Sequence, residues 1–371
     1  MKEFSVSCDR NFLRQRMGDL SQLAGAKRYW LADGKAQGVE AVDIKTGGGF
    51  AFTVLPGRGM DIAWAEFRGV PVAYMSKTGV ASPAYYEQNG VQWLRTFFAG
   101  LLTTCGLSNV GGPCDEIEPV VGSQHHGLHG RISNMAADNV CVREEWRDNA
   151  FVMTVSGRMR EAMLHGENLT LRREITAKLG ENRLFIRDVV ENEGFAEKPL
   201  MLLYHINAGY PVLDAGSRLI CASQSITPAS DLARAEIAQC GKFGAPEQAA
   251  PERVYFHDLA ADGQGQAAAA VVNDALELGL YVRFDKRQLS RFTEWKQLST
   301  AEYVVGLEPG NCWPVGRIEQ RKRGSLELLQ PGEKRTFEVE IGILSGSAAI
   351  ADFEKAHVMC SQIASPAKSV L

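Results

Sequence analysis

Residues 168–194 read NLTLRREITAKLGENRLFIRDVVENEG. In the first half Leu169, Leu171, Ile175 and Leu179 fall on one parity, and Arg173 is the one interruption. Strand side chains alternate between two faces. A period of two, broken by GENR at 180–183 and resumed in LFIRDVV, therefore predicts two antiparallel strands with one wet face.

The same pattern extends outward. AVDIKT (41–46) and FAFTVLP (50–56) are short and rich in β-branched and aromatic residues. DIAWAEF and VPVAYMS flank Arg68-Gly69 and predict a hairpin. NVCVREEW and AFVMTVSGRM flank a polar RDN turn. Strands return late in the chain at AAAAVVND, GLYVRFD, YVVGLEPG and RTFEVEIGIL, whereas 221–268 reads as long loops with one strand at RVYFHDL. Helical spacing is confined to 10–24 and 350–359. Strands do not alternate with long helices, which argues against a doubly wound sheet. The expected fold class is all-β, a large antiparallel β-sandwich with a few short helices. Residues 1–35 are expected to form an N-terminal extension with a short helix, and 36–371 a single sandwich domain. A split near 195–225 is the alternative.

The chain has 371 residues, 45% hydrophobic and 23% charged, with a net charge of −4, which gives no reason to expect nucleic acid or an anionic membrane as partner. No apolar run reaches the roughly 18 residues of a membrane span. The N-terminus carries charges where an export signal needs an apolar run, and eight cysteines are scattered without a CxxC. Reduced thiols in a cytoplasmic setting are the simplest expectation. A homo-oligomer remains open.

Three stretches present chemistry. QHHGLHGRISN (124–134) places three of the seven histidines within five positions. Cys105, Cys114, His125 and His129 have poor spacing for zinc, and there is no HExxH, so neither metal nor cofactor is expected. On the residues alone, a loop of solvated or hydrogen-bonded histidines is the plainer reading. LLYHINAGYP (202–211) puts His205, Asn207 and Gly209 on one strand face, or else holds a satisfied core histidine. YVVGLEPGNCWP (303–314) ends an apolar run at Glu308, between Leu307 and Pro309, and alternation puts Val304, Gly306 and Glu308 on one face. Desolvation there raises a carboxyl pKa toward neutrality and makes a better base, whereas a strand-end Glu in solvent does not shift. Arg95, in GVQWLRTFFAG, reads more plainly as a surface pair.

LPGRGMDI, LLTTCGLSNVGGP, HGLHGR, LLYHINAGYPVLD, FTEWKQ and GLEPGN follow one another over roughly 40–345. In this order they resemble the galactose mutarotase-like superfamily, nearest its aldose 1-epimerase-related, DUF4432-like bacterial branch. The resemblance implies a sandwich of large twisted sheets that holds a small-molecule carbohydrate, and a metal-free anomer interconversion. In that reaction a carboxylate takes the proton of the O1 hydroxyl while a histidine protonates the ring oxygen. Glu308 would be the base and His205 the acid. His129 matches the substrate-binding histidine, and Arg95 lies near the position of a hydroxyl-binding arginine. Asn207, His126, Arg131 and Trp295 complete the expected substrate contacts. The family's hydroxyl-binding aspartate has no clear counterpart, since FTEWKQ offers Glu294, Trp295 and Lys296 there. Arg58, Arg95, Arg131 and Arg317 would suit a phosphorylated or acidic sugar. A non-catalytic carbohydrate-binding or sensor protein on the same fold is the alternative.

Overall fold

The computed structural model describes residues 7–118 and 120–357. Two antiparallel sheets, of eleven and eight strands, dominate it. The larger runs Gly25–Trp30, Glu40–Lys45, Phe50–Leu55, Asp61–Phe67, Leu102–Leu107, Met201–Ala208, Glu302–Gly310, Arg291–Ser299, Arg253–Leu259 and Ser223–Pro228, with the short Val70–Pro71 paired beside Asp61–Phe67. The smaller is built around Ala150–Ala162, Asn168–Lys178, Arg183–Asn192 and Lys334–Ser345. Their facing apolar residues form one core, including Ile62, Leu102, Ile206 and Leu307 from the first sheet and Leu171, Ile175, Ile186 and Val339 from the second. No helix among the described residues is long and apolar enough to cross a membrane.

The quoted stretch forms the strands Asn168–Lys178 and Arg183–Asn192, paired from Leu169↔Asn192 to Ala177↔Leu184. Arg173 does not break the inward parity. It points into the core with its neighbours, at 1% exposure. Its guanidinium forms a two-pronged bond to its cross-strand partner Asp188, at 2.9 and 2.6 Å. It then reaches across the sandwich to Asp61 Oδ1 (3.2 Å) and Thr104 Oγ1 (2.8 Å). Tyr204 donates its hydroxyl to Asp188 Oδ2 at 2.6 Å. A buried charge persists only when paired and hydrogen-bonded, so this cluster links the two sheets. Arg58 acts similarly at one end, donating to the carbonyls of Ser133, Thr96 and Ala81 and tying three loops together.

The hairpin at Arg68-Gly69 is present, with φ of 52° and 79°, the left-handed pair a two-residue turn requires. Other expectations shift. The 10–24 segment is an α-helix only over Arg10–Arg14, followed by a 3-10 turn at Leu20–Gln22. The Asp19 carboxylate accepts from Ser21 N–H at 2.8 Å and starts that second turn separately. Gly25–Trp30, assigned by the sequence to the extension, is the edge strand of the large sheet, paired with Glu40–Lys45. The region 221–268 holds a second edge strand, Ser223–Pro228, and a short helix, Asp231–Ala235, besides the expected Arg253–Leu259. Polar SQSITP lacks the apolar alternation that marks a strand, because an edge strand needs to bury little. The terminal helix is Ser347–His357, and positions 358 and 359 of the expected span lie outside the described residues.

Candidate functional site

Strands Leu102–Leu107, Met201–Ala208, Glu302–Gly310 and Arg291–Ser299 are neighbours in the middle of the large sheet. Their registers, Thr103↔His205, Ile206↔Leu307 and Thr293↔Glu308, set Thr103, His205, Glu308 and Thr293 in one row across the strands. Cross-strand neighbours share a face, so two side chains 103 positions apart meet. His205 Nε2 lies 3.1 Å from Glu308 Oε1, and both residues are buried.

The pair is held in a defined protonation arrangement. Asn207 donates Nδ2–H to Ala99 O (3.2 Å) and to its neighbour His205 O (2.8 Å), so Oδ1 is its accepting end. That oxygen lies 2.6 Å from His205 Nδ1, which therefore carries a proton, and the neutral ring turns its Nε2 lone pair to Glu308. Burial pushes the Glu308 carboxyl well above its usual range, with the Glu252 carboxylate adding to the shift. Burial pushes the His205 imidazole down to about 4, against the bond to Asn207. A protonated Glu308 beside a neutral His205 is the arrangement both shifts favour. The 3.1 Å approach is close but poorly aligned, and Glu308 Oε1 keeps no hydrogen-bond partner among the described residues. Thr293 Oγ1, beside it in the row, has none either. Gly306 makes room for the carboxylate, since a Cβ there would stand 2.5 Å from Glu308 Oε1.

Aromatic rings wall the pair. Phe97 and Trp295 lie edge-on to His205, with centroids 5.2 and 5.1 Å away. His129 is 6.1 Å from His205 and 4.9 Å from Trp93. The Gly111 N–H donates to His129 Nδ1 at 3.3 Å, leaving the proton of the neutral ring on Nε2. Burial, then His205, pushes His129 down to about 3, which keeps the ring a neutral donor. Trp295 donates its indole N–H to Glu252 Oε2 at 2.9 Å. Glu252 thereby adds an exposed carboxylate to the group. Nothing in the sequence pointed to it, because it lies in the loop-like stretch before Arg253–Leu259 and reaches the others only through pairing with Arg291–Ser299.

The remaining expected contacts are distributed differently. Asn207 is fully buried and its amide is spent on His205 and Ala99, so it positions the imidazole and has no group left for a ligand. His126 turns to Arg317, whose Nη1 is 2.9 Å from its Nε2. Arg131 approaches the buried Glu161 at 3.8 Å. Both line a cleft of about 20 Å³, room for one water and not for a sugar. His125 bonds Asp115 and the Gly90 N–H. Arg95 is exposed at the end of the 3-10 turn Gln92–Arg95, bonded to Gln92, in a groove shared with Lys35 and Lys77 and not with His205 or Glu308. Of the histidine-rich loop, His129 alone joins the row.

The family model described as "Domain of unknown function (DUF4432)" matches residues 36–343. Among solved structures, a Klebsiella pneumoniae protein described as a "putative aldose 1-epimerase" superposes with a TM-score of 0.83 at 28% identity, over 91% of this chain and 89% of that one. A galactose mutarotase-like protein from Clostridium acetobutylicum gives 0.61 at 12% identity, over 87% and 99%. Galactose 1-epimerase from Lactobacillus acidophilus NCFM gives 0.56 at 13%, also over 87% and 99%. The last two likenesses concern the fold alone, which is the galactose mutarotase-like sandwich. No curated protein matches the chain.

Proposed function

The chain belongs to the DUF4432 family, and on that footing we propose that it is an aldose 1-epimerase acting on a free sugar or sugar derivative, with Glu308 as base and His205 as acid. The observation that carries this reading is the buried approach of His205 Nε2 to Glu308 Oε1 at 3.1 Å, walled by Trp295, Phe97 and His129.

Mutarotation needs one proton removed at O1 and one supplied at the ring oxygen. The pair holds a single exchangeable proton. Moving it from Glu308 to Nε2 yields a carboxylate and an imidazolium, the reactive arrangement. The carboxylate then takes the O1 proton as Nε2–H protonates the ring oxygen and the C1–O bond opens. This leaves a carbonyl at C1, a protonated Glu308 and a neutral His205, which is the arrangement the site's electrostatics favour. Rotation about C1–C2 and reversal of both transfers closes the other anomer. No electrons leave the system and the chemistry needs no cofactor. Trp295 offers an apolar face for the sugar, His129 Nε2–H a donor and Glu252 an acceptor.

Two substitutions test the assignment. In His205→Asn, sugar binding should stay within a few fold while catalysed exchange falls about 10²–10⁴-fold, the usual contribution of a positioned acid. Polarimetry on a freshly dissolved single anomer reads the rate, and calorimetry the binding. A chain that binds sugar but never accelerates exchange is instead a carbohydrate-binding protein on this scaffold. Gly306→Ala should leave the fold intact, because the three atoms nearest the added methyl all belong to the Glu308 side chain, and none to backbone. It should still cost about 10²-fold in exchange by displacing the carboxylate. An unchanged rate in Gly306→Ala would remove the placement of Glu308 from the mechanism.

A further inference from the structure

A second cluster stands on the other face of the same sheet. Glu294 follows Thr293 on Arg291–Ser299 and points the opposite way. It pairs with Tyr255, so His257, two residues further on Arg253–Leu259, is its diagonal neighbour. The loop after the 3-10 turn Ile237–Gln239 brings Cys240 against both. Cys240 Sγ lies 3.0 Å from Glu294 Oε2 and 3.8 Å from His257 Nε2, and His257 Nε2 lies 3.3 Å from the same Oε2.

We propose that Cys240, His257 and Glu294 form a zinc-binding site that clamps the 236–243 loop to the sheet. The three donor atoms close a triangle instead of pairing off, and one carboxylate oxygen receives both other contacts. A tetrahedral Zn²⁺ with bonds of about 2.0–2.3 Å holds its donors about 3.3–3.6 Å apart, close to this triangle. Thiolate, imidazole and carboxylate are the donors zinc accepts. A thiolate and a carboxylate together balance its two charges.

The outer partners fit as well. His257 Nδ1 lies 2.8 Å from Ser223 Oγ, which touches Cys221 Sγ at 3.2 Å. Glu294 Oε1 accepts from Gly241 N–H at 3.2 Å. Ligating histidines and carboxylates are oriented by second bonds of this kind. Lys296 donates to Gln239 O (2.9 Å) and Lys242 O, fixing the loop that carries the thiol. Binding releases the Cys240 thiol proton and the proton that His257 Nε2 turns to Glu294 Oε2, and leaves the second imidazole proton on Nδ1, where Ser223 Oγ accepts it. Cys240 is only partly buried, which gives the ion an entry path, and water completes the fourth position.

The test titrates the full chain, reduced and stripped of metal, with Co²⁺ and then Zn²⁺. The expected result is one Co²⁺ per chain with a thiolate-to-cobalt charge-transfer band, bleached by equimolar Zn²⁺, and a Tm raised by Zn²⁺. Cys240→Ala and His257→Gln should lose the band and the Tm shift. Cys114→Ala, on a separate two-stranded sheet, should keep both. Glu294→Gln retains the shape and the Gly241 bond and should bind at least tenfold more weakly. The absence of a charge-transfer band in the parent chain would overturn the proposal, as would a band that persists in Cys240→Ala.

Discussion

Glu308→Gln is expected to fold as the parent chain does and to lower catalysed anomer exchange about 10²–10⁴-fold. The amide has nearly the shape of the carboxyl it replaces and donates N–H toward His205 Nε2, as the protonated acid would. It therefore imitates the arrangement that burial imposes on Glu308. What it lacks is a site for the O1 proton. A fall in rate with binding retained separates proton transfer from substrate affinity. A variant as fast as the parent would show that Glu308 is not the base.

The second large effect concerns stability. Arg173→Met should cost about 3–5 kcal/mol, the penalty of orphaning a buried partner. Asp61 and Asp188 would both remain fully buried without their guanidinium. The loss should depend on pH in a defined sense. Burial holds Asp61 up at about 6 even against the pull of Arg173, Thr104 and Arg58. Removing Arg173 raises it further. A carboxyl whose folded pKa exceeds its unfolded value near 3.9 gives stability that is present below that value and is lost as pH rises through the folded pKa. Urea unfolding should therefore show a larger deficit at pH 8 than at pH 5. A deficit under about 1 kcal/mol would mean that the cluster contributes far less than a buried network should.

Much of the architecture was legible because alternation is a local property. The 168–194 hairpin can be read from parity alone, but Arg173, an interruption in that pattern, proves to be a buried charge whose second partner, Asp61, stands 112 residues away. Parity likewise assigned His205 and Glu308 each to a strand face. That they share a row depends on the register between strands distant in sequence, which no local pattern encodes. Direction within loops was equally hidden. His125, His126 and His129 are neighbours in sequence, yet they turn to Asp115, Arg317 and the His205 row respectively. Asn207 was placed on the correct face, but its amide is consumed by the imidazole it orients. Ser223–Pro228 escaped notice because an edge strand can be polar, and the Cys240, His257 and Glu294 cluster because its members come from three separate segments.

The most direct test is saturation-transfer NMR of anomer exchange on neutral, deoxy, phosphorylated and acidic sugars, with the parent chain and Glu308→Gln side by side. The predicted result is exchange accelerated for at least one sugar class by the parent chain and reduced toward the solvent rate by the variant. Exchange at the solvent rate for every sugar, including any that the chain binds, would contradict the epimerase assignment, and equal acceleration by both proteins would contradict the role of Glu308.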